Sequence, residues 1–196
     1  MVSLVIGITG NSGAGKTEVA KILAKRLNAS LINADEIARK LAEPGQIYYK
    51  KILELFGNEI LTENALNRQK IAKIIFKDSK KREELNKLTY KYVVDEIKAR
   101  AEHEKANKNV VLDVPLLFES GLDEICDVTI AILADEEVKL ERICKRDNVN
   151  RETAKARLKA QKDNAYYEVR ADYIINNNGK IEEIDLEELC IKIGKN

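Results

Sequence analysis

Short and nearly continuous apolar runs recur along this chain. Residues 4–8, 110–114 and 128–133 are rich in Val, Ile and Leu, and residues 30–33 and 173–175 are shorter runs of the same kind. A strand buried on both faces has this continuous pattern, whereas a strand with one exposed face alternates between apolar and polar residues. We therefore predict five strands in a sheet that is covered on both faces.

The segments between these runs have the periodicity of helices. Residues 17–27 place Val19, Ile22 and Leu23 on one helical face, and residues 35–41 have the pattern of a second, shorter helix. Strands that alternate with helices along the chain form parallel sheets. The predicted fold class is therefore α/β, with a parallel central sheet.

Two charged helical regions are inserted between the strands. The first follows the second strand and is too long for a simple crossover connection, and the second precedes the last strand. We therefore predict a single domain in which a helical substrate lobe and a helical lid extend from one core. The predicted core covers about 1–45, 106–135 and 171–196, the lobe about 46–105, and the lid about 136–170.

Charge and cysteine content limit the classes of function. The 34 basic and 33 acidic residues nearly cancel, which gives no general attraction to nucleic acids or membranes. The three cysteines are far apart and lack CxxC spacing, and the opening MVSLVIG has neither the basic lead nor the length of a signal segment. We expect a cytoplasmic protein that binds neither nucleic acid nor membrane, and its oligomeric state stays open.

The stretch GNSGAGKT, directly after the first strand, has the spacing G-x-x-x-x-G-K-[ST] of a phosphate-binding loop. Glycines there let the chain turn with positive φ and bring backbone N–H groups against phosphate oxygens. The lysine adds charge at the β and γ phosphates, and the following hydroxyl is a Mg²⁺ ligand. The expected fold is thus a P-loop NTPase three-layer sandwich that binds a nucleotide together with Mg²⁺. The predicted nucleotide-binding residues are Gly10, Asn11, Ser12, Gly13, Ala14, Gly15, Lys16 and Thr17.

Asp35 and Asp113 are the two acids that follow predicted strands. Asp113 lies at the place where P-loop proteins often carry an acid of the Mg²⁺ shell, and we favour this metal role over that of a polar strand end. Asp35 could accept the proton of an attacking hydroxyl, or it could cap the helix that follows it. The spacing alone leaves both roles of Asp35 open. Thr17 and Asp113 are the predicted metal residues.

Arg142 and Arg146 are four residues apart in the predicted lid and therefore share a helical face. They could stabilise charge on a transferring phosphoryl group, although an exposed, salt-bridged face is the commoner role of such a pair. A guanine-binding NKxD motif is absent, which argues against a GTPase switch. A lobe and a lid that close over a nucleotide and exclude water are typical of a small-molecule kinase.

Several further motifs, in order, resemble those of the bacterial-type dephospho-coenzyme A kinase family over nearly the whole chain. Residues 7–17 match its opening G-x-T-G-x-x-G-x-G-K-[ST], and residues 33–39 match its D-A-D-x-[IV]-x-R element. Residues 114–119 match V-P-L-L-x-E, and residues 171–179 match A-D-x-[VI]-I-x-N-x-G. The lid pattern of the family is matched by Arg142, Arg146, Arg157 and Gln161.

The resemblance implies transfer of the ATP γ-phosphate to the ribose 3′-hydroxyl of dephospho-coenzyme A (dephospho-CoA), the last step of coenzyme A biosynthesis. It makes Asp35 the candidate base, and it makes Lys16, Arg142 and Arg146 the other catalytic candidates. Asn177 becomes a candidate wall of the adenine pocket. The candidate residues for the dephospho-CoA substrate are Asp35, Arg39, Arg68, Pro115, Leu116 and Leu117.

Two positions depart from the family pattern. Asn33 replaces the first acid of the D-A-D element, and Tyr90-Lys91 replaces the usual His-Pro of the substrate lobe. Two other functions are weighed against this kinase. One is a nucleoside or nucleotide kinase of the same fold, and the other is a non-catalytic ATP-sensing interaction protein.

Overall fold

The computed structural model describes residues 3–179, 181, 184 and 186–193. The strands are β1 (Val5–Thr9), β2 (Ser30–Asn33), β3 (Leu61–Thr62), β4 (Ala65–Leu66), β5 (Val110–Asp113), β6 (Val128–Leu133) and β7 (Tyr173–Asn176). The helices are α1 (Lys16–Arg26), α2 (Ala34–Leu41), α3 (Ile47–Phe56), α4 (Arg68–Lys77), α5 (Ser79–Thr89), α6 (Asp95–Lys105), α7 (Glu136–Asp147), α8 (Arg151–Lys159), α9 (Asn164–Glu168) and α10 (Glu187–Ile193).

The central sheet has five strands in the order β2-β5-β1-β6-β7. β1 pairs in parallel with both β5 and β6, and β6 pairs in parallel with β7. Each of the five predicted strands is present, with ends that agree to within one residue. The predicted α/β class with a parallel central sheet is therefore confirmed.

Burial explains why the strands are continuous apolar runs. All five residues of β1 and all six of β6 are buried. Ile6 and Ile130 pack in one cluster with Leu23 of α1 and Leu189 of α10. Because both faces of the central strands are covered, polar side chains there would lose water without gaining partners.

Contacts divide the chain into two compact units. Met1–Ile32 and Arg100–Asn196 form the first, which contains β1, β5, β6 and β7, and Asn33–Ala99 forms the second. The second unit begins earlier than the lobe that we predicted at about 46–105. The region predicted as a lid contains α7, α8 and α9, and it belongs to the same unit as the sheet.

The second unit contains one element that the hydrophobic pattern did not indicate. β3 and β4 form an antiparallel hairpin inside the region that we predicted to be helical. Its two turn residues, Glu63 and Asn64, have φ of 50° and 66°, and two such residues make the turn that suits a tight hairpin. The pattern missed this hairpin because strands of two residues are too short to show a periodicity.

The Tyr90-Lys91 departure lies in a π-helical segment. Tyr90–Val94 adopts this conformation between α5 and α6, so the chain passes from one helix to the next without a break. Proline, with no N–H to donate, would remove a helical hydrogen bond at this place. Within the described ranges, no helix combines the length and the apolar character needed to cross a bilayer.

Candidate active site

The phosphate-binding loop connects the end of β1 to the start of α1. Gly10 and Gly15 have φ of 133° and 92°, values that residues with side chains rarely adopt. A Cβ atom on Gly10 would lie 2.1 Å from the Ile132 carbonyl oxygen, and one on Gly15 would lie 2.3 Å from Asn177 Nδ2. Both glycines are thus required by the protein atoms packed around the loop, in addition to any contact with phosphate.

Protein donors satisfy the carbonyl groups of this loop. Asn177 Nδ2 donates to the Ala14 oxygen at 2.7 Å, and Arg142 Nη1 donates to the Gly13 oxygen at 3.3 Å. Lys16 Nζ donates to the Asn11 oxygen at 3.1 Å. A loop that binds anions through its N–H groups needs other partners for its C=O groups, and these side chains provide them.

Thr17 and Asp113, the two predicted metal residues, are in contact. Thr17 Oγ1 donates to Asp113 Oδ2 at 2.7 Å, and Asp113 is buried at the end of β5. A hydroxyl and a carboxylate are the oxygen donors that Mg²⁺ prefers, and Mg²⁺ usually keeps water and phosphate oxygens as its other ligands. Among the described residues, no group of three or more His, Cys, Asp or Glu side chains could hold a metal by itself. The pair therefore fits Mg²⁺ shared with a nucleotide.

A cavity of about 410 Å³ opens at the loop. Lys16 brings one cationic side chain to its wall, and Arg142 and Arg146 from α7 bring two more. Its complete lining consists of Gly13, Gly15, Lys16, Thr17, Glu18, Arg142 and Arg146. Three cations and the N-terminus of α1 give this cavity a positive potential that suits the phosphates of a nucleotide.

The two arginines of α7 have different surroundings. Arg142 donates at 2.9 Å to the carbonyl oxygens of both Asn177 and Gly179, so its guanidinium connects the phosphate loop to the segment after β7. Arg146 donates to Ser12 Oγ at 3.2 Å and is paired with Asp147. Sequence reasoning did not single out Asp147, although an acid directly after the second arginine of the lid pattern was a usable signal.

Further contacts join the segment between α8 and α9 to the loop. Ser12 N donates to Gln161 Oε1 at 3.0 Å, and Asn11 Nδ2 donates to the Lys162 carbonyl oxygen at 2.8 Å. The predicted lid therefore touches the loop at both of these positions.

Asp35 lies in the first turn of α2, in the second unit. The residue that caps this helix is Asn33, whose side chain accepts a hydrogen bond from Glu36 N at 2.9 Å. The capping role that we considered for Asp35 is therefore wrong. Asparagine and aspartate cap helices equally well, so the departure at position 33 keeps this local function.

The side chains of Asp35, Arg39 and Arg68 line one cavity of about 460 Å³ within the second unit. Arg68 is the first residue of α4, which Asn67 caps. Most of the remaining walls are apolar, namely Ala38, Ala42, Pro44, Tyr48, Ile52, Ala65, Leu66, Ile71, Ala72, Ile75 and Leu85, together with Glu43. A mainly apolar cavity with a few charged groups at fixed positions is typical of a small-molecule site.

The residues after β5 have other surroundings. Leu117 is fully buried and packs close to Gly7, where an added Cβ would lie 2.8 Å from Leu117 Cδ2. Leu116 is 60% exposed, and the Pro115 carbonyl oxygen accepts a hydrogen bond from Thr9 Oγ1 at 3.0 Å. None of the three lines either cavity described above, and their role in substrate binding stays a prediction.

The parallel sheet, the phosphate loop and the cationic cavity define a P-loop kinase fold. Solved structures agree, since shikimate kinase from Acinetobacter baumannii superposes with a TM-score of 0.55 at 19% identity, covering 98% of this chain and 92% of that one. The dephospho-CoA kinase of Campylobacter jejuni superposes with a TM-score of 0.66 at 28% identity, covering 97% and 95%.

A family model for dephospho-CoA kinase matches residues 4–183. The dephospho-CoA kinase of Fusobacterium nucleatum subsp. nucleatum is 37% identical over 193 residues, which are 97% of this chain and 98% of that protein. That of Oceanobacillus iheyensis is 38% identical over 189 residues, 95% and 94% of the two chains. The chain belongs to the dephospho-CoA kinase family, and the resemblance stated from the motifs is confirmed.

Proposed function

We propose that this enzyme transfers the γ-phosphate of ATP to the ribose 3′-hydroxyl of dephospho-CoA, giving coenzyme A and ADP. The observation that carries the proposal is the cavity of the second unit, where the Asp35 carboxylate shares a wall with Arg39 and Arg68. Two acids, Asp35 and Glu43, two cations and an otherwise apolar lining suit an acceptor that has a hydroxyl, phosphates and a long uncharged arm. The unpaired state of Cys126, Cys144 and Cys190 supports a reducing, cytoplasmic setting.

The donor half of the reaction uses the phosphate loop. Backbone N–H groups of the loop and the N-terminus of α1 hold the β and γ phosphates. Lys16 and Arg146, which line the cavity at the loop, offset negative charge on the phosphoryl group as it moves. Arg142, which also lines this cavity, supports the loop through its bonds to carbonyl oxygens.

Thr17 and Asp113 would hold Mg²⁺ when the nucleotide is bound. When bound there, the ion would neutralise negative charge on the phosphate oxygens of the nucleotide. Asp113 accepts the hydrogen bond of Thr17, which fixes the direction of the threonine hydroxyl.

The acceptor half of the reaction uses Asp35. Its carboxylate takes the proton of the ribose 3′-hydroxyl while the hydroxyl oxygen forms its bond to the γ-phosphorus. The bond between that phosphorus and the bridging oxygen breaks, and ADP leaves with the electron pair. Arg39 and Arg68 bind the phosphates of dephospho-CoA, since guanidinium groups form paired hydrogen bonds with phosphate oxygens.

A coupled assay of ADP release with ATP, Mg²⁺ and dephospho-CoA tests this function directly. We expect turnover that depends on dephospho-CoA, and a loss of about 10²- to 10⁴-fold in Asp35→Asn with unchanged ATP affinity. Glu36→Gln is the matched control, because Glu36 is exposed on the same helical turn and should keep full activity. Turnover with nucleosides or nucleoside monophosphates alone would refute the proposed acceptor. ATP binding with no acceptor-dependent turnover would instead indicate a sensor.

A further inference from the structure

Asp147, the last residue of α7, holds two arginines at once. Arg146 donates to it through Nε, at 2.7 Å from Oδ1, and through Nη2, at 3.0 Å from Oδ2. Arg157 of α8 donates to Oδ2 at 2.5 Å. The Asp147 side chain is 23% exposed, whereas those of Arg146 and Arg157 are 61% and 48% exposed. The carboxylate is therefore the more buried centre of a cluster with two cations.

Arg146 extends from this cluster to the phosphate loop. Its Nη2 atom, which binds Asp147, also donates to Ser12 Oγ at 3.2 Å. The guanidinium lines the same cavity as Lys16. The paired bonds to one planar carboxylate fix both the plane and the direction of the guanidinium, which a single ion pair would not do.

The pair depends on the end of the helix. Neighbouring residues within a helix point in different directions and do not normally meet. Here α7 ends at Asp147, and Asn148 turns the chain with φ of 49° and ψ of 47°. The hydrogen bond from Arg146 is the main cause that lowers the pKa of the Asp147 carboxyl, so this group stays ionised throughout the neutral range.

We propose that Asp147 is a positioning residue for phosphoryl transfer, which orients Arg146 toward the γ-phosphate with Arg157 as its second support. This inference rests on the proposed function, in which Arg146 offsets charge on the phosphoryl group. An exposed salt bridge usually contributes little to stability. A role limited to stability therefore predicts a nearly silent Asp147→Asn variant, whereas a positioning role predicts a fall in kcat.

The test is a double-mutant cycle with Asp147→Asn and Arg146→Ala, measured by ADP release at saturating dephospho-CoA. We expect Asp147→Asn to lower kcat on the order of tenfold, since misplacement of a reacting group by an ångström costs up to about 10²-fold. The KM for ATP should not rise, because the substitution removes a negative charge near the nucleotide. In the Arg146→Ala background, Asp147→Asn should have almost no further effect.

Glu141→Gln removes the same charge from an exposed position of α7 and should leave kcat unchanged. Asp147→Glu keeps the carboxylate and should restore part of the lost activity. Arg157→Ala, which leaves Asp147 and Arg146 in place, should lower kcat by less than Asp147→Asn does. If thermal unfolding shows that Asp147→Asn does not fold, Arg157→Ala tests the cluster in its place.

The outcomes separate this proposal from the one on which it rests. Full activity in Asp147→Asn while Arg146→Ala is impaired would overturn the positioning role alone. Equal losses from Asp147→Asn in both backgrounds would also overturn it, because the residue would then act without Arg146. Full activity in Arg146→Ala would refute the role of that arginine in the proposed function.

Discussion

Replacement of Gly15 by alanine would test whether the protein atoms behind the phosphate loop determine its shape. Gly15 has φ of 92° and ψ of 21°, in the left-handed region, and its added Cβ would lie 2.3 Å from Asn177 Nδ2. This nitrogen donates to the Ala14 carbonyl oxygen at 2.7 Å, with Asn177 only 3% exposed. The methyl group would therefore displace the asparagine amide and break a buried hydrogen bond.

Two costs combine in this variant. A residue with a side chain in the left-handed region costs about 1–2 kcal/mol. A buried carbonyl that loses its donor costs about 1–3 kcal/mol more. The free energy of unfolding should thus fall by about 2–5 kcal/mol, and at about 2–4 °C per kcal/mol the melting temperature should fall by about 4–20 °C.

Gly121→Ala is the matched control. Gly121 belongs to the same unit and has φ of 66° and ψ of 19°, but the nearest atom that its added Cβ would meet is 3.9 Å away, in Glu124. Only the backbone cost of about 1–2 kcal/mol should remain there. Calorimetry measures both melting temperatures, and titration with ATP should show weaker binding in Gly15→Ala alone. Equal melting temperatures and equal ATP affinities for the two variants would refute the argument.

Three other predictions concern the metal, the acceptor and a buried thiol. Asp113→Asn should raise the Mg²⁺ concentration needed for half-maximal activity by about 10- to 100-fold, measured by Mg²⁺ titration, and an unchanged midpoint would contradict its metal role. Arg68→Ala should raise the KM for dephospho-CoA by about 10- to 100-fold, because this fold-change corresponds to the loss of one hydrogen bond to a charged group. The KM for ATP should stay unchanged. Burial raises the pKa of Cys126 to about 12, so its thiol should resist alkylation at pH 8 and react faster as the pH rises toward 12. Mass spectrometry would measure the extent of Cys126 alkylation at each pH. Rapid alkylation of Cys126 in the folded protein at pH 8 would contradict the prediction.

The local sequence was sufficient to predict the strands and the phosphate loop. The β1 and β6 runs are continuous because both faces are covered, and the loop has a spacing that chemistry constrains residue by residue. The β3–β4 hairpin was missed because its strands have only two residues each. The role of Asp35 was left open between base and helix cap because an acid near the start of a helix suits both, and only the tertiary structure shows that the Asn33 side chain accepts from Glu36 N.

The sequence by itself therefore determined the class of fold, the family and the position of the phosphate loop. The tertiary structure decided which side chains support that loop. Asn177 meets Ala14 across 163 residues of sequence, and Thr17 meets Asp113 across 96. Periodicity and motif spacing describe neighbours along the chain, whereas these contacts depend on the order in which parallel strands pair. Arg142 and Arg146 looked equivalent on one helical face, and only the packing around each guanidinium distinguishes the arginine that supports the loop from the one held by Asp147.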